Sequence, residues 1–319
     1  MDRNLALELV RCTEASALAA ARWMGRGDVR QADAAAFEAM RRALSSVKVR
    51  ARIGLGRPCA TGEEPLAEGS LVGTEDSGPI LELAVDPLEG LDSVATGHAN
   101  AMAVIVANAD HSFPHVSGLY LDKIAVGPEA AGKIDLDASP LENLVNVAAA
   151  KRCYVEDLTV SILDRERHTD LVRRVRETGA RIQLIPDGDL ASVLASAVGD
   201  SGVDVVMGVG SAQAGVLSAA ALACVGGDMQ CRYVSMRPAD DERIQAITGG
   251  QVRRKLGLAD LVGDGSVMFV ATGVTAGDIL TGVRFRKGGA RTHSVVMRKR
   301  SGTIRFIQAQ HCFDRKPRY

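Results

Sequence analysis

The sequence predicts an α/β protein, and three observations carry that expectation. The chain has 319 residues, 46% hydrophobic and 24% charged, which is enough apolar material for a sizeable core. Its first residues repeat apolar positions at helical spacing, whereas from about residue 158 short apolar runs alternate with helical ones in a βαβ rhythm. Thirty-three glycines punctuate these runs. At roughly 150 residues per domain the length suggests two halves, 1–150 and 151–319, with a boundary near residues 140–155.

Taken in order, Leu5, Leu9, Cys12, Ala19 and Trp23 can share one face of a long first helix, which the glycines of Gly25-Arg26-Gly27-Asp28 break. A second helix spans Ala32–Leu44. Val47–Leu55 and Ile80–Val85 read as strands, the latter stopping at Asp86-Pro87 because proline disfavours continuation. Ala101–Ala107 is a third strand. In the second half, strands at Leu158–Leu163, Arg181–Ile185 and Val203–Met207 are separated by helices over Arg167–Thr178 and after Asp189. A glycine turn at 208–210 leads to an Ala-rich helix over Val216–Cys224, and the tail returns to strands at Val267–Ala271, Ser294–Met297 and Thr303–Gln308.

Charge and composition remove several function classes. Thirty-eight basic residues against 39 acidic ones leave a net charge of -1, so no global field draws the protein to nucleic acid or an anionic membrane. Aromatics are 3%, with Trp23 the single tryptophan, too few for a stacking platform read from composition. Six scattered cysteines without zinc spacing read as reduced thiols. No apolar run approaches the roughly 20 residues of a membrane span, and the charged N-terminus lacks a signal core, so the expected location is the cytoplasm.

Four segments carry chemistry. Leu83-Ala84-Val85-Asp86-Pro87-Leu88-Glu89-Gly90 ends a buried strand in two carboxylates that a hard divalent cation could use, although Asp-Pro bends are also common turns. The glycine turn before Ser211 places backbone amides at a helix start, which favours phosphate, but its third glycine is misplaced for a dinucleotide fingerprint. Asp164-Arg165-Glu166-Arg167-His168 and Ile185-Pro186-Asp187-Gly188-Asp189 set arginines and aspartates at the C-terminal ends of strands, where α/β sheets bind ligands. His168 reads equally as part of a phosphate pocket or as a surface helix start.

In these segments, and in RNLALELVRCTEAS, LYLDKIAVGP, AAALACVGGDMQ, ATGVTAGDIL and THSVVMRKRSGTIRFIQAQH, the chain resembles the class II fructose-1,6-bisphosphatases of bacteria over nearly its whole length. The resemblance implies a layered α/β/α/β/α sandwich of the sugar phosphatase superfamily. It also implies hydrolysis of a sugar bisphosphate with Mn2+ or Mg2+, and a homo-oligomer, dimer or tetramer, with no nucleic-acid or membrane partner. Position by position, Asp33, Asp86 and Glu89 match metal ligands, with Asp86 and Glu89 at the catalytic centre. Gly90, Tyr120, Arg165, Arg167, Asp187, Gly188, Asp189 and Ser211 match substrate-holding positions.

The departures fall in the same places. Where the resemblance calls for a metal-ligand glutamate the chain has Arg57, where it calls for a water-positioning threonine it has Leu91, and where it calls for a last ligand glutamate it has Ala214. A shifted alignment would offer Glu63 or Glu64 in place of Arg57, against the ungapped match on either side. Thr61 keeps a hydroxyl in this loop as a candidate catalytic group. Arg57 is expected to lie among Asp33 and Asp86 as a fixed charge, which neutralises carboxylates but cannot generate hydroxide from water as an ion does. The expected activity is therefore phosphatase, with binding of sugar phosphates without turnover, or another reaction on a phosphosugar, as the alternatives.

Overall fold

A computed structural model describes residues 4–62, 66–77, 79–198 and 201–315; Glu63 and Glu64 lie outside the described residues. The chain divides into two compact units, residues 1–113 with 265–319, and residues 114–264. This differs from a single break near 140–155: the C-terminal strands return to pair with the first unit. Each unit is a mixed sheet with helices on it, the α/β class expected.

In the first unit, α1 (Leu5–Ala20) and α2 (Val29–Leu44) precede β1 (Ala51–Leu55), β2 (Leu71–Val72), β3 (Leu81–Glu89), α3 (Leu91–Thr96) and β4 (Met102–Asn108). α2 starts three residues before the expected Ala32 because Asp28 caps it, accepting the Gln31 N–H. In the second unit, β5 (Tyr120–Val126) is followed by α4 (Pro140–Lys151), β6 (Thr159–Leu163), α5 (Thr169–Arg176), β7 (Arg181–Ile185) and α6 (Asp189–Ala197). Then come β8 (Val205–Ser211), α7 (Ala212–Val225), β9 (Asp228–Val234), α8 (Pro238–Thr248) and α9 (Leu258–Val262). β10 (Val267–Gly273), β11 (Arg284–Arg286), β12 (Gly289–Arg298) and β13 (Thr303–Cys312) complete the first unit.

The first sheet centres on β10, β4 and β3, whose residues are buried, and α1 packs on these strands. Among the described residues only β1 and β3 run parallel in it. The second sheet runs β7-β6-β8-β5-β9, with β6 parallel to β7 and β8 as the βαβ rhythm predicts. Among the described residues no helix is long and apolar enough to cross a membrane.

Two boundaries differ for physical reasons. β3 does not stop at Asp86-Pro87. Its pairing with β4 passes from Asp86↔Val104 to Glu89↔Met102, so three steps on β3 match two on β4, a bulge at the residue that has no N–H to donate. The expected glycine turn at 208–210 is instead strand: β8 continues to Ser211 because Gly208–Ser211 pair with Tyr120–Lys123.

Candidate functional site

Each unit carries a cluster of predicted residues. In the first, the bulge decides what Asp86 and Glu89 can do together. Residues three apart point to opposite faces of a regular strand, and one extra residue returns Glu89 to the face of Asp86. Ser16 of α1 fixes this turn: its fully buried hydroxyl shares its one proton between the Pro87 carbonyl, 2.8 Å away, and the Ala36 carbonyl of α2, 2.9 Å away. Asp33 of α2 is wholly buried, and Asp86 and Glu89 are nearly so.

Arg57 occupies the centre. Its Nη1 and Nη2 grip Asp33 Oδ2 and Oδ1 at 3.0 and 2.7 Å, and its Nε donates to Asp86 Oδ1 at 3.2 Å. The remaining N–H bonds go to the carbonyls of Leu88, 2.9 Å from Nη2, and Pro58, 3.3 Å from Nη1. A guanidinium has five N–H donors, and all five are engaged. The group also lies 4.9 Å from the Phe37 ring centroid. Burial opposes its charge, but Asp86 and Asp33 outweigh that and hold its pKa above the ordinary arginine value. Burial, with Asp33 beside it, raises the Asp86 carboxyl, and Arg57 pulls it back down.

These residues test the expected Mn2+ or Mg2+ directly. A hard divalent cation needs ionised oxygens turned toward a common point. Here Asp33 spends both oxygens on Arg57 and takes the Ala60 N–H at 2.6 Å as well, while Asp86 Oδ1 is shared between Arg57 and the Leu88 N–H. A positive charge already sits between the two carboxylates. A divalent ion does not fit between Asp33 and Asp86 in this arrangement, and among the described residues no three His, Cys, Asp or Glu side chains are placed to hold a metal. Arg57 thus lies where expected, hydrogen-bonded to both Asp33 and Asp86, and a cation shared by these two carboxylates would have to displace it.

The other first-unit residues fall into place around this clamp. Thr61 is exposed, and its hydroxyl donates to Cys59 Sγ at 3.3 Å. Gly90 has φ +84° at the start of α3, where a Cβ would press on Ala101. Leu91 packs against the apolar core.

In the second unit, Tyr120 and Ser211 are cross-strand partners on β5 and β8, and the exposed Arg167 lies over the Tyr120 ring at 5.7 Å. Arg167 donates from Nε and Nη2 to the Val209 carbonyl, at 3.2 and 2.8 Å. His168 is 3% exposed, settling its two readings in favour of a built-in role. Gly188, φ +76°, turns the chain from the half-buried Asp187 into Asp189 at the head of α6. The Asp189 carboxylate is buried on Lys123, so it offers a ligand the shape of this turn and not a free charge. Arg165 goes elsewhere, into a groove of about 510 Å³ that it lines with Arg173, Arg176 and Leu184. Ala214 is buried and has no donor atom.

Sequence reasoning missed Lys123 and Ser16. The signal for Lys123 is a charge inside the apolar strand LYLDKIAV, where a lysine must bring a partner. For Ser16 there is none, since a serine in an Ala-rich helix looks like any other.

A family profile described as "Bacterial fructose-1,6-bisphosphatase, glpX-encoded" matches residues 3–311. The chain is 39% identical to the D-fructose 1,6-bisphosphatase class 2/sedoheptulose 1,7-bisphosphatase of Synechococcus sp. (strain JA-3-3Ab), covering 98% of this chain and 97% of the relative. It is 38% identical to the fructose-1,6-bisphosphatase 1 class 2 of Escherichia coli (strain K12), covering 99% and 97%.

Proposed function

The chain belongs to the bacterial class 2 fructose-1,6-bisphosphatase family, one of metal-dependent phosphatases, and on that premise we propose that it is a phosphoric monoester hydrolase acting on a sugar bisphosphate. The observation that supports the reading is the second-unit cluster, in which the exposed Arg167 lies over the Tyr120 ring and Tyr120 pairs across the strands with Ser211. Arg167 is held by one edge of its guanidinium and is exposed, so it can still donate to phosphate oxygens through charge-assisted bonds. In the first unit Asp86 and Glu89 supply buried acids, and Arg57 pairs with Asp33 and Asp86 without a donor left for the substrate.

The Arg57 clamp is also the one observation that favours a second reading, binding of sugar phosphates without turnover; the relatives do not favour it. Phosphate release from fructose 1,6-bisphosphate by the purified chain, with Mn2+, with Mg2+ and with chelator, separates the two. Release that Arg167→Ala weakens supports the phosphatase reading, and thermal stabilisation by the sugar phosphate with no release supports binding alone. A homodimer or homotetramer, readable by light scattering, and a cytoplasmic location, in line with six cysteines outside any disulfide, belong to the same proposal.

A further inference from the structure

We propose that His168 is a positioning residue of the phosphosugar site: its neutral imidazole fixes the strand edge at Val209, whose carbonyl in turn aims Arg167. The inference rests on the reading of Arg167 as a phosphate-holding group and deepens it. His168 Nδ1 lies 2.7 Å from the Leu163 carbonyl, and Nε2 lies 2.8 Å from the Val209 nitrogen. A carbonyl only accepts and a backbone N–H only donates, so the proton is on Nδ1 and the lone pair on Nε2. One tautomer satisfies both bonds, and it joins the end of β6 to β8.

The fit over the ring is close. Gly208 crosses it at φ +118°, and a Cβ there would stand 2.9 Å from Nε2. The next residue, Val209, gives its N–H to His168 and its carbonyl to both Nε and Nη2 of Arg167. The aim of Arg167 thus depends on a neighbouring imidazole that can take up a proton.

Protonation would place an N–H on Nε2 facing the Val209 N–H, two donors with no acceptor between them. The charged groups around the ring are Arg167 on its own segment, Lys123 and Asp122 on β5, and Asp189 of α6, which is committed to Lys123. Burial holds the His168 pKa below its ordinary value, with Arg167 and Lys123 acting the same way and the Leu163 carbonyl and Asp122 opposing them. The site is thus built to keep the ring neutral near pH 7, and acidification should loosen phosphate binding before it affects the chemical step.

The test follows the wild-type chain, His168→Gln and His168→Asn from about pH 5 to about pH 8. It measures KM and kcat with fructose 1,6-bisphosphate, binding of inorganic phosphate, and the NMR shift of the Val209 amide. Gln can keep the bond to Val209 without titrating, whereas Asn can keep only the bond to Leu163. Wild type should show KM rising about tenfold as pH falls, the weight of one charge-assisted bond, with kcat changing much less. Its Val209 amide should report the same single protonation. His168→Gln should flatten the part of the KM profile that is not the substrate phosphate's own ionisation near pH 6, and His168→Asn should bind weakly throughout. A Val209 amide blind to His168, or Asn binding as tightly as wild type, would overturn the inference. If the wild type neither binds nor cleaves fructose 1,6-bisphosphate, the functional reading fails separately, and phosphate binding with the Val209 titration still judges the role of His168.

Discussion

The two units neutralise buried charge by opposite means. In the first, a guanidinium spends all five donors on Asp33, Asp86 and two carbonyls, so the carboxylates are closed off by a group with nothing left to offer. In the second, the buried pair is Lys123 with Asp189, a point charge tucked beneath β8, and the arginine above it stays exposed. The difference separates a committed arginine from an available one: Arg57 is 18% exposed with every donor turned inward, while Arg167 is held by one edge only.

Lys123→Met gives the largest expected effect, since it strands a buried carboxylate; unfolding in denaturant should show a loss of about 3–5 kcal/mol. Adding Asp189→Leu should recover most of that loss, because removing both charges removes the penalty. If the single variant costs nothing, the contrast between the units collapses.

Gly210→Ala sharpens the same point. A Cβ at that position would lie 2.2 Å from Asp189 Oδ2, with Lys123 Nζ close by. A stability loss of about 1–3 kcal/mol, read by thermal unfolding, is expected from such overpacking. In the first unit, Ser16→Ala leaves the Pro87 and Ala36 carbonyls without their shared hydroxyl, at about 1–2 kcal/mol by the same measurement. The smallest effect concerns pH. His168 has a lowered pKa in the folded chain, so the unfolded chain binds its proton first on acidification. Its contribution to stability is complete above the ordinary histidine pKa of about 6.5 and declines as pH falls through and below it, which unfolding at stepped pH reads and His168→Gln should diminish.

Much of this contrast was legible in the sequence. The α/β class, the parallel β6/β7 pair and the seating of Arg57 among Asp33 and Asp86 all follow from residue patterns and from the resemblance. The bulge at Pro87 was not, because local propensity ends the strand there while pairing with β4 carries it on to Glu89. Gly208–Ser211 misled for the same reason: glycines favour a turn until a partner strand supplies the hydrogen bonds. The route of the chain into two units depends on β10 pairing with β4 across more than 150 residues, which no local pattern encodes. The pairing of Asp189 with Lys123 was not legible either, because the two are distant in sequence and meet only on folding.

Arg57 fills the space between Asp33 and Asp86 and is hydrogen-bonded to both. Calorimetric titration of manganese into the wild type and into Arg57→Glu tests that occupancy most directly. The account predicts that the glutamate variant gains a manganese site which Asp33→Asn removes, and that the wild type has no such site. Manganese binding by the wild type that Asp33→Asn abolishes would contradict it.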